Sequence, residues 1–123
     1  MNLRLNWITL RVQDLETSLH FYNQVLGLPI ERKFESRGKQ IAMLIMDGQA
    51  KLELIQGSEQ VVKPECGISL GFEVESLDEA MIYLKTQGIE VARGPITPNP
   101  HLSFFYILDP DGFEVQLAEH NKK

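Results

Sequence analysis

The sequence predicts an α+β fold built from two consecutive modules of similar size. Alternating apolar and polar residues, typical of strands, occupy most of the chain, and one helical spacing of apolar residues occurs in each half. The order strand, helix and three strands is found twice. The 123 residues are enough for one domain with its own core.

The first half begins with a strand and a helix. Residues 6–12, NWITLRV, alternate and are rich in β-branched and aromatic side chains, as in a strand. Asp14 is placed to cap the next helix through its side-chain oxygen, and Gly27 ends that helix as a left-handed cap. The helix has one apolar face, which consists of four residues at helical spacing: Leu15, Leu19, Tyr22 and Leu26.

Three strands complete the first half. Residues 29–36, PIERKFES, alternate in charge and predict an edge strand, because charged side chains discourage edge-to-edge aggregation. Residues 40–46 and 51–56, QIAMLIM and KLELIQ, predict a hairpin around the turn DGQA.

A polar segment at residues 57–66, GSEQVVKPEC, predicts a linker, because it contains Gly and Pro and has no apolar period. It holds the only cysteine, so no intrachain disulfide is possible. Cys66 has no activating neighbour in the sequence, and we interpret it as a plain linker thiol rather than a reactive one.

The second half begins like the first. Residues 67–75, GISLGFEVE, predict a strand, and Ser76 with Glu79 fits a capping box. The helix that follows runs to Gly88, and its inner face consists of Leu77, Met81 and Leu84.

The rest of the second half predicts a strand, a loop and a hairpin. Residues 89–93, IEVAR, fit a strand, and residues 94–101, GPITPNPH, a loop stiffened by three prolines. Residues 102–108 and 113–119, LSFFYIL and FEVQLAE, predict the final hairpin. Its DPDG segment, residues 109–112, looks catalytic at first, but Asp, Pro and Gly there favour a turn.

An internal repeat is the clearest sign of organisation. Five landmarks of the first half recur in the second at offsets of 61 to 64 residues. Chance similarity between two stretches of α+β chain would not keep one offset so closely. The paired landmarks are Asp14 with Ser76, Leu15 with Leu77, Gly27 with Gly88, Gly48 with Gly112, and Glu53 with Gln116.

Charge and hydropathy narrow the class of partner. The net charge of −5 and the scattered basic residues argue against nucleic acid, which needs clustered Lys and Arg. No apolar run approaches the roughly 20 residues that span a bilayer, and no signal peptide is evident. A cytoplasmic protein with no membrane or nucleic-acid partner is the expectation.

The segments ITLRVQDLETSLHFYNQVLGL (residues 8–28) and DPDGFEVQL (109–117) resemble the vicinal oxygen chelate superfamily. That superfamily contains glyoxalase I, extradiol dioxygenases, and fosfomycin and bleomycin resistance proteins. The resemblance implies one domain of two tandem βαβββ modules, about 1–56 and 67–120, forming a curled mixed sheet around a cleft. It also implies a homodimer, as in most small members.

In metal-dependent members, each module carries one ligand on its first strand and one on its last. The matching positions here are Trp7 and Glu53 in the first module, and Ser69 and Gln116 in the second. Only Glu53 is a strong ligand, since an indole N–H is a donor only and catalytic zinc sites use three good ligands. The expectation is therefore that the inherited metal site is lost.

A displaced metal site is the alternative. Side chains two apart on a strand share a face, so Glu73 accompanies Ser69, and Glu114 accompanies Gln116. With Glu53, the two glutamates could form an all-oxygen site for Mg²⁺ or Mn²⁺. The simpler interpretation is that all three are solvated strand carboxylates.

Trp7, Arg11 and His101 are further candidate ligand contacts. Trp7 offers a stacking platform, and Arg11 four residues later corresponds to the arginine that holds an anionic substrate in glyoxalase-like members. Together they indicate a planar ligand with an acidic group, unless Trp7 packs at a dimer interface and Arg11 forms a salt bridge. His101 is a candidate base or ligand, or else a solvated loop residue. His20 is expected at the surface, and His120 in the polar tail.

Two functions follow. The first is a metal-independent binding protein for a small molecule, a drug or planar metabolite, as in the bleomycin resistance branch. The second is a glyoxalase I-like lyase (lactoylglutathione lyase), or a related enzyme such as a dioxygenase, with a displaced divalent metal and with Glu53 moving the proton. The proposed ligand-binding set is Trp7, Arg11, Glu53, Ser69, His101 and Gln116.

Overall fold

The computed structural model describes three stretches of the chain, residues 1–48, 50–57 and 67–121. Beyond Gly57, the predicted linker lies outside the described residues, and so does Cys66 within it.

Two compact units make up the chain, Met1–Lys63 and Pro64–Lys123, and each has the order strand, helix and three strands. The α+β class and the repeated βαβββ order predicted from the sequence are confirmed. The first unit contains β1 (Trp7–Arg11), α1 (Leu15–Leu19, continued by a π-helical segment, His20–Val25), β2 (Ile30–Ser36), β3 (Lys39–Asp47) and β4 (Ala50–Gln56). The second unit contains β5 (Ser69–Glu73), α2 (Leu77–Thr86), β6 (Arg93–Asn99), β7 (Leu102–Leu108) and β8 (Glu114–His120).

Each unit forms one four-stranded mixed sheet. The strand orders are β1-β4-β3-β2 in the first unit and β5-β8-β7-β6 in the second, so the two sheets have equivalent topology. In both, the first strand runs parallel to the last strand, and the other pairs are antiparallel. β2 lies at a sheet edge, as predicted from its alternating charges.

Each helix covers one face of its own sheet. In the first unit α1 contacts β3 and β4. Every second residue of the central strands is fully buried on this face, and the helix adds two aromatic side chains to the core. The opposite surface of each sheet is called the distal face below. The main buried residues of the first unit are Leu10, Leu15, Leu19, Phe21, Tyr22, Ala42, Leu44, Leu52 and Leu54.

The start of α1 differs from the sequence prediction. Asp14 occupies the N-cap position, but its side chain accepts a hydrogen bond from the Thr17 hydroxyl (2.5 Å) and none from the helix backbone. Instead, the N–H of Leu15 donates to Oε1 of Gln56 on β4, at 2.6 Å. The predicted cap by the Asp14 side chain is therefore wrong, because a side chain from the neighbouring strand supplies the oxygen. Gly27 ends the helical segment with φ +82°, as predicted.

The start of α2 agrees with its prediction. Ser76 accepts a hydrogen bond from the N–H of Glu79 at 3.1 Å, which satisfies one orphan donor of the first turn. The N–H of Leu77 donates to Oε1 of Glu119 on β8, at 2.7 Å. Both helices are thus tied at their first residue to the last strand of their own unit.

The position of β6 overturns another prediction. The strand expected at residues 89–93 lies instead at Arg93–Asn99, so all of it except Arg93 falls in the segment interpreted as a proline-stiffened loop. β6 is an edge strand, where a missing N–H is tolerated. It pairs with β7 only at every third residue, so the intervening prolines stay out of the register. The paired residues are Arg93 with Tyr106, Ile96 with Phe104, and Asn99 with Leu102.

The final hairpin has the predicted turn. Oδ1 of the buried Asp109 accepts hydrogen bonds from the N–H groups of Asp111 (2.9 Å) and Phe113 (2.8 Å), and Gly112 has φ +90°. His120 was expected in the tail but is the last residue of β8, because the strand extends to pair with Leu102. Among the described residues, no helix is long and apolar enough to cross a membrane.

Candidate functional site

The distal face of the first sheet brings together three of the predicted site residues. Alternation along β1 places Trp7, Thr9 and Arg11 on one face. Thr9 is the register partner of Glu53 on β4, and its hydroxyl donates to Oε1 of Glu53 at 2.7 Å. Glu53 therefore lies at the centre of this face with one hydrogen bond already made.

Trp7 and Arg11 occupy the two ends of the β1 row. Trp7 is 51% exposed and lies beside Lys51, whose ammonium binds Glu31 at 2.5 Å. Arg11 is partly buried, and no ion pair to it is found among the described residues. This face thus offers a half-exposed indole at one end and a cation at the other.

The distal face of the second sheet carries four more of the predicted residues. Ser69 and Glu73 lie on β5, and Glu114 and Gln116 on β8, with Ser69 opposite Glu114. Val115, between the two β8 residues, is fully buried on the helix side. The register therefore places these four side chains on one face, as their spacing indicated.

A row of four residues crosses the second sheet at Gln116. In order across the strands, the row consists of Arg93, Tyr106, Gln116 and Gly71. Nε2 of Gln116 donates to the Tyr106 hydroxyl at 3.1 Å. A Cβ at Gly71 would lie 3.1 Å from Oε1 of Gln116, so the glycine leaves the space that the amide uses.

Arg93 extends this row into a connected set of side chains. Its guanidinium carbon lies 4.0 Å from the centre of the Tyr106 ring, and Nη2 donates to both oxygens of Glu114, at 3.0 and 3.2 Å. The Phe104 ring meets Tyr106 edge-on, with ring centres 5.8 Å apart. We call Arg93, Tyr106, Glu114 and Gln116 the Arg93 network.

Glu73, His101 and His120 lie in the second unit but outside the Arg93 network. Glu73 accepts a hydrogen bond from the N–H of His120 at 2.8 Å, and its other oxygen is 2.6 Å from Nδ1 of the same residue. His101 is exposed in the turn that joins β6 to β7. The pairing of Leu102 with His120 places this turn four residues along β8 from Gln116.

The donors at the inherited positions do not fit a catalytic metal. An indole cannot coordinate a cation, Ser69 and Gln116 bring no charge, and Glu53 is the only carboxylate of the four. The described stretches of the chain contain no group of three or more His, Cys, Asp or Glu that could hold a metal ion. The displaced site remains a prediction, although Glu73 and Glu114 each already bind another side chain.

Sequence reasoning missed Arg93 and Tyr106. Arg93 was assigned to the end of the wrong strand, so its partner across the sheet was not apparent. One signal was available, since Arg32 and Arg93 are 61 residues apart and fit the offset of the repeat.

Comparisons with known proteins agree with the fold. The family model described as "Glyoxalase/Bleomycin resistance protein/Dioxygenase superfamily" matches residues 4–117. A lactoylglutathione lyase of Escherichia coli O157:H7 is 31% identical over 127 residues, which cover 95% of this chain and 93% of the relative.

Two solved structures illustrate the similarity. Glyoxalase I of Leishmania major has a TM-score of 0.80 at 20% identity, with 96% of this chain and 87% of that chain covered. TnmS3, an antibiotic binding protein from Streptomyces sp. CB03234, has a TM-score of 0.79 at 19% identity, with 97% of both chains covered. At these identities the two structures show the shared fold.

Proposed function

The chain belongs to the glyoxalase/bleomycin resistance protein/dioxygenase superfamily, and from this premise we propose that it binds a small planar molecule without a metal ion. Each unit offers one candidate binding surface: the distal face of the first sheet, which carries Trp7, Arg11 and Glu53, and the distal face of the second sheet, which carries Ser69 and Gln116.

The observation that carries the proposal is the exposure of the Trp7 indole. At this position metal-dependent relatives place a ligand, and here a half-exposed indole takes it. An exposed indole on a sheet face provides flat apolar area for stacking. A residue that cannot coordinate a metal ion but stacks well favours binding over metal-dependent chemistry.

Charge on the first distal face supports a ligand with an acidic group. Arg11 has its guanidinium available, whereas Glu53 already accepts a hydrogen bond from Thr9. A planar acid would stack on Trp7 and place its anionic group towards Arg11. Arginine is suited to this role because its planar fork binds carboxylates through two hydrogen bonds.

Trp7 is the only tryptophan, so its fluorescence reports on this face alone. The test is a titration of planar aromatic acids into protein that has been treated with EDTA and desalted. We expect saturable quenching that is unchanged when divalent ions are added back. Arg11→Ala should weaken binding of the acids by about tenfold, the equivalent of one lost charged contact.

The matched control is Lys85→Ala, which removes an exposed cation from α2 and should leave the titration unchanged. Two results contradict the proposal: quenching that disappears with EDTA and returns with a metal, or no saturable quenching by any planar compound in the screen.

A lyase is the second candidate, favoured by the curated relatives named lactoylglutathione lyase. Glu53, which is retained at a ligand position, is its candidate catalytic residue. Because the four inherited positions do not fit a catalytic metal, this function requires another ligand set, of which Glu53, Glu73 and Glu114 are the candidates. Metal-dependent turnover of the hemithioacetal of methylglyoxal and glutathione would establish it, and loss of that turnover in Glu53→Gln with the metal still bound would identify Glu53 as the base.

The proposal also includes His101 and a homodimeric assembly. We retain His101 as a ligand contact of the second unit, to be tested by His101→Ala in the same titration. A cytoplasmic homodimer is also proposed, on the resemblance to small members of the superfamily and on the single cysteine. Sedimentation should give twice the chain mass of 14.0 kDa, and a particle of 14.0 kDa would contradict the dimer.

A further inference from the structure

We propose that the Arg93 network is a binding site for a planar aromatic molecule with a hydrogen-bond-accepting oxygen at its edge. This inference rests on the proposed function and names, for the second unit, the side chains that select the ligand and the class they select.

The Arg93 side chain presents one flat face. Its guanidinium lies over the Tyr106 ring at 4.0 Å, so that face is covered. The side chain is still 55% exposed, which leaves the opposite face accessible. A guanidinium is weakly hydrated on its faces and stacks on aromatic rings. An aromatic ligand would therefore continue the stack that Tyr106 begins.

Glu114 holds this platform in place. Both of its oxygens accept hydrogen bonds from Nη2 of Arg93, which fixes the guanidinium above the ring rather than leaving it to swing in water. The pair also neutralises the arginine. Because the Arg93 side chain is already ordered before the ligand arrives, binding costs less conformational entropy.

The Tyr106 hydroxyl supplies the polar contact. It accepts a hydrogen bond from Nε2 of Gln116, and so its own proton remains to be donated. Gly71 leaves room for the Gln116 amide, because a Cβ there would lie 3.1 Å from its Oε1, a tight contact. The donor at Tyr106 is thus oriented by a chain of neighbours, and its complement is an oxygen of the ligand.

The net charge of the Arg93 network indicates which class of ligand it would bind. Arg93 and Glu114 offset each other, and the remaining members of the network are neutral. Recognition of a bare anion is therefore disfavoured relative to an aromatic ring that carries a carboxylate or carbonyl at its edge. Stacking on Arg93 and the hydrogen bond from Tyr106 act together only on such a molecule.

The first unit provides a built-in comparison. Arg32 lies over Phe34 with its guanidinium carbon 4.5 Å from the ring centre. Phe34 has no hydroxyl, and among the described residues no carboxylate forms an ion pair with Arg32. The stacked cation therefore occurs in both units, but the fixed platform with a donor occurs only in the second.

The experiment uses 2-naphthoate as the probe and the full chain as the receptor, followed by ¹H–¹⁵N NMR. We expect the Arg93 Nε–H and Gln116 side-chain signals to shift on titration. Arg93→Lys keeps the charge but loses the planar stack and should weaken binding by about tenfold. Tyr106→Phe keeps the ring but loses the donor and should weaken it by about fivefold.

Two controls make the result specific. Arg32→Lys changes the matching residue of the first unit and should leave the affinity unchanged. Cyclohexanecarboxylate has the charge of the probe without its flat ring and should bind at least about tenfold more weakly. Thermal melts of each variant confirm that the fold is retained.

The proposal is overturned if Arg93→Lys binds 2-naphthoate like the original chain, if Arg32→Lys has the same effect as Arg93→Lys, or if no signal of the network shifts. In those cases saturable quenching of Trp7 by other planar compounds would leave the proposed function intact. If no planar compound quenches Trp7 but Arg93→Lys specifically weakens 2-naphthoate binding, the proposed function fails for the first unit while the Arg93 network is supported as a binding site of the second.

Discussion

The two units use the same backbone to present different chemistry. In the first, the row across the distal face is Thr9, Glu53, Met43 and Arg32. In the second, the residues at the same places are Gly71, Gln116, Tyr106 and Arg93. A hydroxyl-to-carboxylate hydrogen bond in one row is thus replaced by an amide, a phenol and an ion-paired arginine in the other.

The difference shows which part of a repeated module is free to change. The helix side must fill a core and tie down a helix, and both units do this in the same way, with Gln56 or Glu119 bound to the first helical N–H. On the distal side, by contrast, equivalent places hold residues of different charge and polarity. Its residues can exchange charge for neutral polarity without altering the sheet.

The cores differ in where the aromatic side chain sits. The fully buried Tyr22 in the helical segment and Ala42 on β3 correspond to Leu84 on α2 and the fully buried Phe105 on β7. The offsets are 62 and 63 residues. The first unit has the large ring on its helical segment, and the second unit has it on a strand, so the buried volume is filled in both.

The largest expected effect comes from breaking this core. Phe105→Ala should lower the free energy of unfolding by about 3–5 kcal/mol, because it removes a fully buried ring and leaves a cavity. Urea denaturation followed by circular dichroism measures it. Leu108→Ala on the same strand is the control, since that side chain is 48% exposed and should cost less than about 0.5 kcal/mol. Equal losses in the two variants would contradict the assignment of Phe105 to the core.

A smaller effect tests the shared way of tying down the helices. Gln56→Ala and Glu119→Ala should each cost about 1 kcal/mol, because each leaves a helical N–H without its acceptor. The exchanged variants Gln56→Glu and Glu119→Gln retain the acceptor oxygen and should remain close to the original stability. If the alanine and exchanged variants unfold at the same urea concentration, the two hydrogen bonds do not stabilise the helices.

The sequence predicted most of the fold because its cues are local. Alternation identified seven of the eight strands near their observed places, and it put Glu114 and Gln116 on one face of β8. The misplaced β6 has a physical reason, since an edge strand that pairs at every third residue tolerates prolines that would break a central strand.

The site was harder to predict because it depends on register. Gln116 was expected on the distal face, but its partner Tyr106 lies on another strand, and Arg93 on a third. The contacts that join them arise only when two pairings are aligned, and neither alignment can be read from alternation. The prediction that the Asp14 side chain caps α1 failed for a similar reason. The acceptor oxygen belongs to Gln56, which lies 41 residues along the chain from the Leu15 N–H that it binds.

Metal content is the most direct test of metal-free binding. The chain is incubated separately with Ni²⁺, Zn²⁺, Fe²⁺, Mn²⁺ and Mg²⁺, desalted, and weighed by native mass spectrometry alongside Glu53→Ala. If binding is independent of metal, we expect that no ion is retained by either protein. One ion per chain that is lost in Glu53→Ala would contradict it and would make the metal-dependent lyase the better explanation of this fold.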